Sequence, residues 1–67
     1  MNIKIESEYI KLDQLLKLAD IASTGGHAKF LITEGLVKVN GEVELRRGKK
    51  LRKNDTIEIE NQKIVIN

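Results

Sequence analysis

The sequence predicts an α+β fold: two short helices packed on a small, mainly antiparallel sheet of about five short strands. Three observations carry this. Apolar residues recur at helical spacing over residues 12–19 and again from Ala28. Apolar and polar residues alternate over residues 2–6, 36–45 and 56–67. An Asn-Gly pair sits in the middle of the second alternating stretch, where a hairpin needs its turn.

Taken in order, "NIKIE" at residues 2–6 reads as a strand with Ile3 and Ile5 on one face. Leu12, Leu15, Leu16 and Ala19 fall at i, i+3, i+4 and i+7, a helix stripe, with Asp13 and Lys17 spaced to pair on the wet side. "STGG" interrupts that helix. A second stripe follows at Ala28, Leu31 and Ile32, and Gly35 stands where a helix C-cap belongs. Phe30 falls off this stripe and is expected to pack under the N-terminal strand near Ile3 and Ile5.

"LVKVNGEVEL" is a hairpin. Val37, Val39, Val43 and Leu45 are all odd-numbered, so keeping them on one face requires a loop of odd length, three or five residues. "TIEIENQKIVIN" has the opposite parity. A two-residue turn at Asn61-Gln62 would set Ile57 against Ile66, Ile59 against Ile64 and Glu60 against Lys63.

Between the hairpins lies "ELRRGKKLRK". Six of the eight residues from Arg46 to Lys53 are basic, while the rest of the chain holds six Lys/Arg against ten Asp/Glu. The formal net charge of +2 therefore conceals a basic segment on an acidic body. Between Arg46 and Lys53, Leu51 is the one apolar residue, which suggests a loop pinned to the core at that point with its charges outward. A solvated charge run is the ordinary fate of such a segment. Here both ends are tied to strands and the basicity opposes the rest of the chain, so phosphate binding is the favoured reading. Arg46, Arg47, Lys49, Lys50, Arg52 and Lys53 are its candidate residues.

A second candidate anion site opens the second helix. Ser23 or Thr24 can cap it, Gly25 and Gly26 leave its first N–H groups unshielded, and Lys29 follows one turn on. The stretch lacks the Gly-Lys-Ser/Thr ending of a nucleotide-binding loop.

Other classes are disfavoured. At 67 residues the chain buries only about 60% of its unfolded surface, leaving no cleft for a small-molecule substrate. There is no cysteine, hence no disulfide, thiolate zinc site or cysteine nucleophile. His27 is the only histidine and reads as a surface residue. No catalytic residues, metal or cofactor are expected. No apolar run approaches the ~20 residues of a membrane span, and "MNIKIESEYIK" carries no signal-peptide core, so a cytoplasmic protein is expected. Tyr9 and Phe30, the only aromatics, make no stacking platform for single strands.

The joint pattern resembles the S4 RNA-binding domain. Leu12-Asp13, Ser23, Ala28, Ile32, Gly35, Val37, Val39, Asn40-Gly41, Asp55 and Ile57 match its pattern of Leu-Asp, Ser-Arg-x-x-Ala-x-x-x-Ile-x-x-Gly-x-Val-x-Val-Asn-Gly and Gly-Asp-x-Ile, over about residues 11–58. "STGGHAKFLI" with "VNGEVELRRGKKL" is closer still to the small stand-alone bacterial proteins of the YaaA/YbcJ type. The pattern departs in two places: Gly25-Gly26 replaces an arginine-containing opening, and Asn54 stands where glycine is usual. The resemblance implies the S4-like (alpha-L motif) fold as one domain over residues 1–67. It also implies a basic surface built from the start of helix 2, the hairpin (adding Lys38 and Asn40) and the following loop. Its implied partner is structured RNA, ribosomal RNA foremost, in ribosome assembly. Few aromatics and many cations argue for shape and phosphate recognition over base reading. The expected protein is a monomer with no membrane partner; the alternative is a protein-interaction module whose basic loop docks on an acidic protein.

Overall fold

The computed structural model describes residues 1–67. The elements are β1 (Asn2–Ile3), β2 (Ile10–Lys11), α1 (Leu12–Leu18), α2 (Gly25–Thr33), β3 (Lys38–Val39), β4 (Glu42–Val43), β5 (Lys50–Leu51), β6 (Thr56–Ile59) and β7 (Gln62–Ile66). Five strands form one sheet in the order β1-β7-β6-β3-β4, with β1 parallel to β7 and the other pairs antiparallel. The expected strand at residues 2–6 survives in part. Its ladder continues past Ile3 through Ile5 N–H to the Asn67 carbonyl, and Ile5 is buried. Strands β2 and β5 form a separate two-stranded ribbon that the alternation did not reveal.

Both helices bury their predicted stripes except for Ala19, which is the C-cap of α1 and packs half-buried against the core. Leu12, Leu15 and Leu16 of α1 and Ala28, Leu31 and Ile32 of α2 join one apolar cluster with Ile5, Val37, Val39, Leu51, Ile57, Ile59, Ile64 and Ile66. Fully burying each Leu or Ile is worth roughly 1.5–3 kcal/mol, so the cluster supplies the drive that seven- and nine-residue helices lack alone. Both helices end in Schellman motifs. Asp20 (φ 61°) and Gly35 (φ 76°) take the left-handed position. The N–H groups of Ile21 and Leu36 return to the Leu16 and Leu31 carbonyls.

Four expectations are corrected. The first hairpin has a two-residue turn: Val39 faces Glu42 and Lys38 faces Val43, with Asn40 and Gly41 both at positive φ. That is the backbone Asn-Gly prefers. Pairing of β3 with β6 holds Val37 and Val39 in the core, while Val43 and Leu45 turn outward, 51% and 57% exposed. Strand β4 is the sheet edge, and no layer covers that face. In the second hairpin the turn is Glu60-Asn61, which pairs Ile57 with Ile64, Ile59 with Gln62 and Glu58 with Lys63. The expected register differs by two residues, and a two-residue slip preserves both faces, so alternation is blind to it.

Phe30 is 57% exposed rather than packed under β1, because the stripe of Ala28, Leu31 and Ile32 claims the inner face of α2. The Asp13–Lys17 pair does not close. Asp13 Oδ1 instead accepts the Gln14 N–H at 2.8 Å.

Candidate nucleic-acid interface

The basic segment is held at several points along its length. Leaving β4, the Glu44 N–H donates to the Val37 carbonyl. Arg46 then folds back on Glu44: Nε donates to Oε2 at 2.9 Å, Nη2 to Oε1 at 3.2 Å, and the Arg46 N–H to Oε2 at 3.1 Å. The Arg46 guanidinium, through its hydrogen bond, lowers the Glu44 carboxyl from its ordinary pKa, and Glu44 raises that of Arg46. This is the only ion pair in the structure. Sequence reading missed it, although the Glu-x-Arg spacing along an extended chain puts both side chains on one side.

A turn closes from the Lys49 N–H to the Arg46 carbonyl. The Arg47 and Lys49 carbonyls then accept the N–H groups of Asp13 and Leu12, the first two residues of α1. The loop thus caps that helix with its own backbone. Leu51 follows, fully buried as the sequence suggested. Beyond it Asn54 takes φ 78°, and Asp55 Oδ2 accepts the Arg52 N–H at 2.8 Å. Asp55 Oδ1 accepts from Asn40 Nδ2, and Asn40 Oδ1 accepts the Thr56 N–H at 2.9 Å. Both ends of the Asn40 amide therefore work inside the fold, knitting the hairpin turn to β6.

With the backbone fixed, Arg46, Lys49, Lys50 and Arg52 converge with Gly48 on one open depression of about 590 Å³, which no hydrophobic residue lines. Asn40 lies in an adjoining hollow that shares Arg46 and Lys49. Arg47 is exposed outside the depression. Lys53 shares a second hollow with Arg52, Glu6, Ser7 and Glu8. Lys38 lies elsewhere, on the outer sheet face beside Glu58 and Lys63.

The start of α2 forms a separate group. Thr24 is the N-cap, its Oγ1 accepting the His27 N–H at 3.0 Å. The Ser23 N–H donates to His27 Nδ1 at 3.4 Å, so the lone histidine braces the helix start. The N–H groups of Gly25 and Gly26 have no intramolecular acceptor. A Cβ at Gly25 would meet nothing within 4 Å, and one at Gly26 only Thr24 Oγ1 at 3.9 Å. Lys29 is exposed. No hydrogen bond or common hollow joins Ser23, Thr24, Gly25, Gly26 and Lys29 to the basic depression.

Tyr9 also reaches the basic surface, which sequence reading did not foresee. Lys50 Nζ lies 4.8 Å and Arg52 Cζ 5.9 Å from its ring centroid. Only the pairing of β2 with β5 brings them together. No helix of the structure is long and apolar enough to cross a membrane.

Comparison with known proteins matches this architecture. The chain is 50% identical over 58 residues to the "Probable ribosome maturation protein RlbA" of Bacillus subtilis (strain 168), covering 87% of this chain and 82% of that one. It is 41% identical over 49 residues to YbcJ of Escherichia coli (strain K12), covering 73% and 70%. The solution structure of E. coli YbcJ, described as revealing an alfaL motif involved in RNA-binding, superposes with a TM-score of 0.74 at 30% identity, over 97% of this chain and 84% of that one. The 30S ribosomal protein S4e of Thermoplasma acidophilum shares the fold at a TM-score of 0.64 and 24% identity, over 87% of this chain and 31% of that one. The S4 domain family model spans residues 3–67, from the first strand through the basic loop to the last strand, and the chain belongs to the S4 domain family.

Proposed function

We propose that the protein binds structured RNA, ribosomal RNA in particular, as a non-enzymatic module in ribosome assembly. The carrying observation is the depression in which Arg46, Lys49, Lys50 and Arg52 converge on a backbone pinned by α1 and by Leu51. Ordering like charges in advance costs free energy through their mutual repulsion, and a phosphate backbone offsets that cost. The start of α2, from Ser23 to Lys29, is the second phosphate contact. Arg47 and Lys53 flank the depression and Asn40 borders it from the adjoining hollow, while Lys38, on the outer sheet face, would make a separate contact. The ribosomal setting is supported by the relative named as a ribosome maturation protein. The reading takes residues 1–67 as one monomeric domain acting in the cytoplasm.

The test is binding to a structured RNA across a salt series. Contact with about four to six phosphates gives a log–log slope of roughly −3 to −5. A flat response would remove the basic surface as the driver. Nuclease treatment of a pull-down separates the competing reading, an acidic protein partner, because such a partner survives it.

A further inference from the structure

Antiparallel pairing of β2 with β5 sets Ile10 against Leu51 and Lys11 against Lys50. Leu51 is buried and Ile10 half-buried, so this pair faces the core. The same register extended by one residue places Tyr9 opposite Arg52. The outer face of the ribbon therefore carries Tyr9, Lys11, Lys50 and Arg52 at its four corners.

Two features of this face disfavour the folded state. Lys11 and Lys50 are like charges directly opposite one another, an arrangement that destabilises a strand pair. Lys11 is also the N-cap residue of α1, at the end of the helix where a cation opposes the dipole. No carboxylate lies within ion-pairing distance of Lys11, Lys50 or Arg52. The Tyr9 ring meets Lys50 and Arg52 and holds both cations over one surface. Three exposed cations ordered against their own repulsion form a site for an anion.

We propose that the outer face of the β2–β5 ribbon is a phosphodiester clamp in which Lys11 joins Lys50 and Arg52 in gripping the RNA backbone, and Tyr9 is the positioning residue that sets the latter two. This rests on the RNA-binding reading and adds Lys11 and Tyr9 to it. Neither lies in the basic loop.

The probe is an RNA stem–loop with a stem of about 16 base pairs, the span of a typical shape-reading domain. The full chain is titrated at several salt concentrations. Binding is read from the anisotropy of a fluorescein-labelled RNA, so that the Tyr9 variants, which lack the only tyrosine, are read in the same way as the wild type. Lys11→Gln should weaken binding roughly five- to tenfold and reduce the salt slope by about 1. It should also raise the melting midpoint by about 1–3 °C by removing the repulsion. Affinity and stability then move in opposite directions, which a purely structural role for Lys11 would not produce. Lys17→Gln, exposed on α1 away from the ribbon, should leave affinity unchanged. Tyr9→Phe should keep binding, because the ring is retained, and Tyr9→Leu should lose it several-fold in a folded protein. If the wild type binds with the expected slope and Lys11→Gln binds as well as the wild type, the clamp is refuted and the RNA-binding reading stands. If the wild type shows no RNA binding, both fall.

Discussion

The two helices start in opposite ways. The first N–H groups of α1 are closed by protein: Leu12 and Asp13 donate to the Lys49 and Arg47 carbonyls, and Gln14 donates to Asp13 Oδ1. Those of α2 are half open: Thr24 takes one, and Gly25 and Gly26 leave theirs to solvent. Every helix must find acceptors for these groups. Helix α1 takes them from the basic loop and so holds that loop in place. Helix α2 keeps two donors free beside a cleared surface. The same end-group chemistry thus anchors one proposed RNA contact and itself constitutes the other.

The largest expected effect comes from breaking the closed start. Leu51 is the apolar anchor between Lys50 and Arg52, and it is fully buried. Leu51→Ala should cost about 2–5 kcal/mol, a large share of the stability of a domain this small. Chemical denaturation would give the loss. Hydrogen exchange should show Leu12 and Asp13 amides deprotected more than those of β6, because the loop that caps them has lost its hold. Uniform deprotection would mean that the loop and the sheet unfold as one unit.

Gly26→Asp sharpens the comparison from the other side. Gly26 lies in the first turn of α2 without positive φ, and an added Cβ has room. A carboxylate there should stabilise the helix by about 0.3–1 kcal/mol at low salt while repelling phosphate. Melting and RNA titration should therefore shift in opposite senses. Unchanged affinity in the folded variant would remove the start of α2 from the interface. A loss of both stability and affinity would show that Gly26 is needed for packing.

The smallest effect concerns the Glu44–Arg46 clasp, where the loop leaves β4. Because Arg46 holds the folded-state pKa of Glu44 below its ordinary value, the stabilisation is full above that ordinary value. It is lost as pH falls through the lowered one. Arg46→Ala should thus lower the melting midpoint slightly at neutral pH, and the gap from wild type should close in acid. A gap that persists in acid would assign the loss to packing. Glu44→Gln should tighten RNA binding, since it removes a carboxylate from the basic surface and frees the Arg46 guanidinium.

The sequence by itself determined what is local. Leu12, Leu15 and Leu16, then Ala28, Leu31 and Ile32, declared both helices because a 3.6-residue repeat is written in consecutive residues. Gly35, a cap at Ser23 or Thr24, and the basic run with Leu51 inside it were legible for the same reason; the fold chose Thr24. Tertiary structure decided what depends on distant pairing. Parity along "LVKVNGEVEL" asked for one apolar face, but β3 pairs with β6, and the edge strand β4 has no layer over Val43 and Leu45. Parity in the last hairpin could not tell two registers apart, since a slip of two residues leaves every side chain on its face. Lys11 is separated from Lys50 by 39 positions, and nothing in either neighbourhood announces the other. Only closure of β2 onto β5 makes them a pair. Charge content is a property of the chain, but the surface those charges form is set by the contacts that order its backbone.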